Sequence, residues 1–288
     1  MKHSPKLTII LISLFIITQI IGLLVVHIYS TNQIPYGLNP PQDVSPISTL
    51  AQFIFSLAVV LLLIFGLMKL KSEIIFRVWF FVVVIVALGV TFSAFLINIP
   101  NASLISIVIA LPLAYLKIFK RNIIVHNLTE LLVYPGIAAL FVPILSVWSA
   151  VVLLVIISLY DMYAVWKAGF MQKMAKYQIQ KVRVFSGFFI PYLKPGQKAV
   201  MLKAKTKSAL KRVKVSVALL GGGDIVFPII LAGTVLLSRG LLAALIVSLG
   251  ASIGLAALLY NSEKGKFYPA MPFISLGAFV GLALQFLL

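Results

Sequence analysis

Long apolar segments separated by short polar ones run along the whole chain. A membrane-spanning helix needs about 20 predominantly apolar residues. Turn-forming segments such as Pro35–Pro46, Asn98–Asn101 and Asn261–Lys266 interrupt the apolar pattern. The predicted spans are 7–28, 48–68, 76–98, 101–119, 123–144, 146–166, 215–237, 240–260 and 268–287. The pattern therefore predicts an all-α polytopic membrane protein with nine transmembrane helices.

Composition agrees with a membrane protein. Of the 288 residues, 62% are hydrophobic, and the mean hydropathy is +1.14. A soluble domain of this size could not cover so much apolar surface, so lipid must be the solvent. The first apolar stretch, from Leu7, has no small-residue cleavage site, and we interpret it as a retained helix. The chain has no cysteine, which excludes disulfides, thiolate metal sites and a cysteine nucleophile.

The positive charge predicts an orientation. The formal net charge is +18, which in a soluble protein would point to nucleic acid, but here the basic residues lie between the apolar segments. With the N-terminus in the cytoplasm and nine spans, 23 of the 24 basic residues fall on the cytoplasmic side and only Arg239 lies opposite. Lys and Arg concentrate in cytoplasmic loops. We therefore expect a multi-pass protein of the cell membrane with its N-terminus inside, its C-terminus outside and no nucleic-acid partner.

Three regions follow from this topology. Residues 1–167 carry helices one to six, residues 168–214 form a basic cytoplasmic loop, and residues 215–288 carry helices seven to nine. Within the loop, 178–185 alternates polar and apolar residues as a short strand would, and the apolar stretch 188–193 could rest on the membrane interface. The loop is either a solvated segment held near anionic lipid or a strand-forming element that docks substrate.

The acidic residues are few, and two of them are exceptional. The six are Asp43, Glu73, Glu130, Asp161, Asp224 and Glu263. Asp161 and Asp224 are embedded in apolar sequence, where a carboxyl group is costly and is therefore functional or paired. The sixth and seventh spans contain no Lys or Arg, so the partner that remains for each aspartate is the other one.

The depths of the two aspartates are compatible with a pair. Asp161 lies six residues before Lys167, or about 9 Å along a helix, and Asp224 lies ten residues after Lys214, or about 15 Å. Both carboxyl groups are then in the cytoplasmic half of antiparallel helices. Unwinding at the glycines before Asp224, or a later start of the seventh helix, would bring the two carboxyl groups to the same depth.

Two facing carboxyl groups in a low dielectric cannot both ionise easily, so they share one proton. The ionised member can deprotonate a water while the protonated member polarises a scissile carbonyl. Either aspartate can take either part, because a coupled pair titrates as a unit. A proton- or cation-coupled transporter or leak channel would use the same two buried acids, and this alternative stays open on the carboxylates alone.

The three glycines before Asp224 favour proteolysis. Gly221, Gly222 and Gly223 each weaken a helix by about 1 kcal/mol relative to alanine. They permit local unwinding and close backbone approach, which a protease acting on a membrane helix needs. Packing of small residues between helices is the structural alternative.

Other proteolytic chemistries have little support. None of the three histidines, His3, His27 and His126, begins a His-Glu-x-x-His zinc motif. Ser186 lies in the loop with no histidine expected at its depth. His126 and Glu130 are one helical turn apart, and we interpret them as a structural polar pair. We expect no metal and no cofactor.

These residues resemble a known family. Tyr160-Asp161 is similar to the Tyr-Asp motif in the sixth helix of presenilins and signal peptide peptidases, which are intramembrane aspartyl proteases. Gly221–Asp224 fits their Gly-x-Gly-Asp motif in the seventh helix. The stretch Pro269, Ala270, Met271 and Pro272 resembles the Pro-Ala-Leu-Pro motif that opens the ninth, with Met271 in place of leucine.

The resemblance implies a fold and an activity. It implies nine helices, a water-filled site between helices six and seven with Asp161 and Asp224 as catalytic residues, and Pro269–Pro272 packed beside them. Tyr160, the three glycines and the Pro269–Pro272 segment would position the substrate. The expected substrates are transmembrane helices of other proteins. The predicted orientation, the small size and the short loops resemble archaeal presenilin homologues, with activity expected without accessory subunits and homo-oligomerisation left open.

Overall fold

The computed structural model describes residues 5–38, 73–120, 122–166, 185–192, 216–262 and 268–285, with scattered positions between 48 and 66. Eight helices are delimited within these residues: α1 (Pro5–Thr31), α2 (Glu73–Phe95), α3 (Ala102–Phe119), α4 (Ile123–Phe141), α5 (Val147–Trp166), α6 (Gly222–Arg239), α7 (Leu241–Asn261) and α8 (Met271–Leu284). Short 3-10 turns occupy Pro35–Gly37 and Val142–Ile144. The described positions of the second predicted span, 48–68, are also helical.

The helical membrane class is confirmed. Seven of the described helices are long and apolar enough to cross a membrane, whereas α8 is apolar but has 14 residues. Spans 101–119 and 123–144, despite their short connection, form the separate helices α3 and α4. The orientation of the termini and the division at residues 167 and 214 remain predictions.

Local chemistry explains several helix ends. The side chain of Asn122 accepts hydrogen bonds from the backbone N–H groups of Ile124 and Val125, so it caps the start of α4. Ser146 similarly accepts from the N–H of Ser149 at the start of α5. Gly240, with φ +87°, separates α6 from α7. Polar and glycine positions thus divide an otherwise continuous apolar pattern.

A two-stranded antiparallel sheet accompanies the helices. Strand β1 (Gly187–Tyr192) pairs with β2 (Ser216–Gly221), from Gly187 opposite Gly221 to Tyr192 opposite Ser216. Of the strand predicted at 178–185, residues 178–184 lie outside the described residues and Phe185 is not in a strand. The stretch 188–193, expected at the membrane interface, is instead a strand as far as Tyr192. Backbone pairing with β2 and burial of Phe188 against the Tyr134 ring explain this difference.

The predicted start of the seventh span at residue 215 was wrong. Helix α6 begins at Gly222, because the residues before it are paired with β1. The consecutive glycines have weak helix propensity and sit at the change from strand to helix. Asp224 is therefore the third residue of α6 and not a residue in the interior of a long helix.

Helix α6 lies at the centre of the bundle. It packs against α1, α4, α5, α7 and α8 and contacts both strands. Its most apolar 18-residue window is 67% buried, a higher share than in the other candidate spans among the described residues. The helix that carries Asp224 is thus shielded from lipid by protein.

Helices α7 and α8 approach each other through glycines. A Cβ added at Gly250 would lie 2.2 Å from the carbonyl oxygen of Gly277, and one added at Gly254 would lie 2.2 Å from that of Phe273. Small residues allow such close backbone contact in membrane helices. This packing fixes α8, whose first residues reach the candidate site.

Candidate active site

Asp161 lies on α5, where its side chain is only 5% exposed. The backbone N–H groups of Ala270 and Met271 donate to its carboxyl group, the latter with a distance of 3.1 Å from N to Oδ2. Met271 is the first residue of α8, so its N–H has no acceptor within the helix. The start of α8 therefore holds the Asp161 carboxyl.

The prolines of the Pro269–Pro272 segment explain why this contact is available. Proline has no N–H and is well suited to the first turn of a helix. Pro272 occupies that turn, while Pro269 and Ala270 stay outside the helix. Only Ala270 and Met271 can donate from this segment, and both donate to Asp161.

Asp224 lies in the first turn of α6, which packs against α5. Its carboxyl group accepts a hydrogen bond from the backbone of Gly221. The two carboxyl groups are close enough for the charge of Asp161 to act on Asp224. The start of α8 thus binds Asp161, while Asp224 lies in the first turn of α6.

The three glycines before Asp224 have different surroundings. A Cβ at Gly222 would lie 2.6 Å from the Ser186 hydroxyl and 2.8 Å from the Tyr134 ring, closer than real contacts allow. A Cβ at Gly221 would lie 3.1 Å from Asp224 Oδ2, and one at Gly223 would make an ordinary 3.5 Å contact with Phe227. The strictest packing requirement therefore falls on the middle glycine.

The chain matches a known protease family over most of its length. The profile of the family described as "Signal-peptide peptidase, presenilin aspartyl protease" matches residues 12–288. The chain belongs to this family. It is therefore an integral membrane protein of a family of intramembrane aspartyl proteases. No curated protein sequence matches it significantly.

Two solved structures share the fold of this presenilin-family chain. One, "Structure of a presenilin family intramembrane aspartate protease in C222 space group", has a TM-score of 0.61 and 19% identity, with 96% of this chain and 99% of that one covered. The other, a presenilin-family intramembrane aspartate protease in a P2 space group, has a TM-score of 0.63 and 18% identity, with 96% of each chain covered. At these identities the likeness concerns the fold alone.

Other predicted site residues differ in their placement. Tyr160 remains 40% exposed although it is adjacent to Asp161. Its part in positioning substrate stays a prediction, as do the parts of the three glycines and of Pro269–Pro272.

The histidine expectation needs a correction. His126 does lie close to the Ser186–Gly187 segment, since its Nε2 is 2.8 Å from the Gly187 carbonyl oxygen. The loop returns to α4 as strand β1, which could not be foreseen from depth along the chain. The hydroxyl of Ser186, however, faces the Tyr134 hydroxyl at 3.5 Å, and His126 Nε2 donates to a carbonyl. The polar pair of His126 and Glu130 forms, with a distance of 3.6 Å from Nε2 to Oε1.

Sequence reasoning missed three features around the site. Lys117, counted among the cytoplasmic basic residues at the end of the predicted span 101–119, is buried and its Nζ lies 2.5 Å from Glu130 Oε1. Ser158 donates to Ser275 at 3.0 Å and so links α5 to α8, one turn away from Asp161 on α5. Tyr134 packs on Gly222. The one visible signal was a basic and an acidic residue on either side of the short connection between spans 101–119 and 123–144, namely Lys117 and Glu130.

Proposed function

We propose that this presenilin-family protein hydrolyses peptide bonds within transmembrane helices of other membrane proteins, with Asp161 and Asp224 as the catalytic pair. The observation that carries the proposal is the approach of two carboxyl groups from adjacent helices, close enough to interact, with Asp161 bound by the start of α8. No lysine or arginine occurs in α5, and Arg239 lies at the opposite end of α6 from Asp224. Among the described residues, Asp161 is the charged group that acts on Asp224.

The reaction needs one proton on the pair. The ionised carboxylate takes a proton from a water, whose oxygen attacks the scissile carbonyl carbon while the protonated carboxyl donates to the carbonyl oxygen. The carboxyl group that took the water's proton then gives it to the amide nitrogen, the other carboxylate takes a proton back from a hydroxyl of the tetrahedral intermediate, and the C–N bond breaks. The products are a carboxylic acid and an amine, and either aspartate can begin in either state.

A cleavage assay tests this proposal. The purified protein in detergent is mixed with a peptide that carries one transmembrane segment, and products are identified by mass spectrometry. Wild type is expected to cut the peptide. Asp161→Ala and Asp224→Ala are expected to lose at least a thousandfold in rate, because both the attack of water and the collapse of the intermediate need the two acids. A peptide mimic with a hydroxyl in place of the scissile carbonyl is expected to inhibit the wild type.

The transporter alternative makes the opposite prediction. It requires flux of protons or cations in sealed vesicles that depends on both aspartates, with no cleavage of the peptide. Equal product from wild type and both alanine variants would overturn the proteolytic assignment.

We also propose that an extended segment of the substrate pairs with the outer edge of β2. Gly222 N–H donates to the Ser186 carbonyl at 3.3 Å, so the alternation of an antiparallel ladder turns the backbone groups of Val217 and Leu219 outward. The N–H of the next outward position, Gly221, already donates to Asp224. The sheet has two strands among the described residues. The outer edge of β2 leads straight to Asp224, and a bound strand would continue toward the two acids.

The role of this edge can be isolated at Leu219, which is 41% exposed. Leu219→Pro removes the outward N–H but no ladder bond with β1, and proline is tolerated at such edge positions. Leu219→Ala removes the same side chain and keeps the N–H. We expect kcat/KM to be about three- to tenfold lower for the proline variant than for the alanine variant. Equal values would refute pairing at this edge.

The remaining assignments extend the proposal. We propose that the protein resides in the cell membrane with its N-terminus in the cytoplasm and acts without accessory subunits, with no metal or cofactor. Accessibility of terminal tags in intact cells tests the orientation, and the mass of the purified active species tests whether it forms homo-oligomers.

A further inference from the structure

The first turns of α4 place three polar side chains against strand β1. They are His126, Asn127 and Glu130, and each contacts the backbone of β1. Glu130 is 1% exposed, so this contact is buried on the side of α4 that faces the sheet.

Asn127 forms two hydrogen bonds with a single residue of β1. Its side-chain amide donates to the Phe189 carbonyl at 3.0 Å, and its Oδ1 accepts from the Phe189 N–H at 2.9 Å. This pair of bonds is the one that a neighbouring antiparallel strand would make. The N–H and carbonyl of Phe189 point away from β2, because Phe189 and Leu219 form one of the non-hydrogen-bonded pairs that alternate with hydrogen-bonded pairs along the ladder.

The next outward position, Gly187, is bound in the same way. Its N–H donates to Glu130 Oε1 at 3.3 Å, and its carbonyl accepts from His126 Nε2 at 2.8 Å. The third outward position is Pro191, which has no N–H to offer. Side chains of α4 therefore occupy the outer edge of β1, whereas the outer edge of β2 has no second strand beside it in the described part of the chain.

Glu130 is itself anchored. Its carboxylate lies 2.5 Å from Lys117 Nζ on α3, and both side chains are nearly fully buried. An ion pair without access to water holds its geometry because separation leaves a buried charge. The contact with β1 is thus built on the packed pair of α3 and α4.

We propose that His126, Asn127 and Glu130 are positioning residues that act as a substitute third strand on β1. They close the outer edge of β1, direct an extended substrate to β2 and keep β2, and with it Asp224, in register. This inference rests on the proposed proteolytic function. It assigns these side chains to substrate alignment, in addition to their part in stability.

Asn127 allows the sharpest test. Asn127→Leu keeps the branched shape of the side chain but makes no hydrogen bonds to Phe189, whereas Asn127→Asp keeps an acceptor for the Phe189 N–H. We expect kcat with the transmembrane peptide to fall about tenfold in the leucine variant, with the aspartate variant between it and wild type. We also expect new cut positions in the leucine variant, because a looser sheet admits other registers, and faster hydrogen exchange in the segment 185–192.

Asn122→Ala is the matched control. It removes the helix cap of the same helix α4, and its side chain bonds only to Ile124 and Val125 in the described contacts. A loss of stability alone would lower the melting temperature of both variants and leave the cut positions unchanged in both. Wild-type kcat and cut positions in all Asn127 variants would overturn the positioning role. Asp161→Ala is assayed beside these variants. A wild type that cleaves no faster than Asp161→Ala would instead overturn the protease assignment.

Discussion

The buried ion pair between Lys117 and Glu130 makes a quantitative prediction about stability. Both side chains are at most 2% exposed and their charged atoms are 2.5 Å apart. Removing one member of a buried pair costs about 3–5 kcal/mol, because the other charge is left without compensation. We therefore expect Lys117→Met and Glu130→Gln each to lower the free energy of unfolding by about 3–5 kcal/mol.

The double variant should cost far less than the sum of the two. It buries no charge, and the glutamine oxygen can still accept from the Gly187 N–H, so we expect a loss of about 1–3 kcal/mol. The coupling between the two substitutions would then amount to several kcal/mol.

Reversible unfolding in mixed micelles with increasing SDS, followed by tryptophan fluorescence, measures these free energies. Lys120→Met is the matched control, since Lys120 is exposed near the end of the same helix, and its effect should stay within about 0.5 kcal/mol. Additivity of the two single substitutions within about 0.5 kcal/mol would refute the account of a coupled buried pair.

Three further predictions concern packing near the site. Gly222→Ala should abolish most peptide cleavage because its Cβ has no room, whereas Gly223→Ala should retain it; equal rates would contradict the packing. Gly277→Ala should lower the free energy of unfolding by about 1–3 kcal/mol. Gly66→Ala, with open space around it, should be neutral or slightly stabilising. Similar SDS midpoints for the two variants would count against the close α7–α8 contact. Ser275→Ala should lower the free energy of unfolding by about 1–2 kcal/mol and kcat severalfold, since α8 loses the hydrogen bond from Ser158 on α5 near Asp161. An unchanged kcat would show that this hydrogen bond does not affect catalysis.

The helices could be predicted from sequence because lipid imposes a simple rule. Every buried backbone group in a membrane must be satisfied within its own segment, so a long apolar run is a helix. The eight delimited helices accordingly overlap eight of the nine predicted spans. The boundaries that failed are those set by tertiary contacts: α6 begins at Gly222 because 216–221 pairs with β1.

The candidate site was predictable where its chemistry is rare. Two carboxyl groups in apolar sequence are costly enough to be noticed individually, so Asp161 and Asp224 could be selected before any contact was known. The polar groups around the site are common residue types. The hydroxyls of Ser158 and Ser275 and the amide of Asn127 carry no signal along the chain, and their contacts emerge only from packing.

The central claim is that the two acids work while they share a single proton, and the pH dependence of cleavage tests it most directly. One carboxyl group must be ionised and the other protonated, so kcat/KM should rise as pH increases through the first ionisation and fall through the second, giving a bell-shaped profile. The alanine variants of Asp161 and Asp224 should show no such bell. A wild-type profile with a single limb across the range in which the protein stays folded would contradict the account.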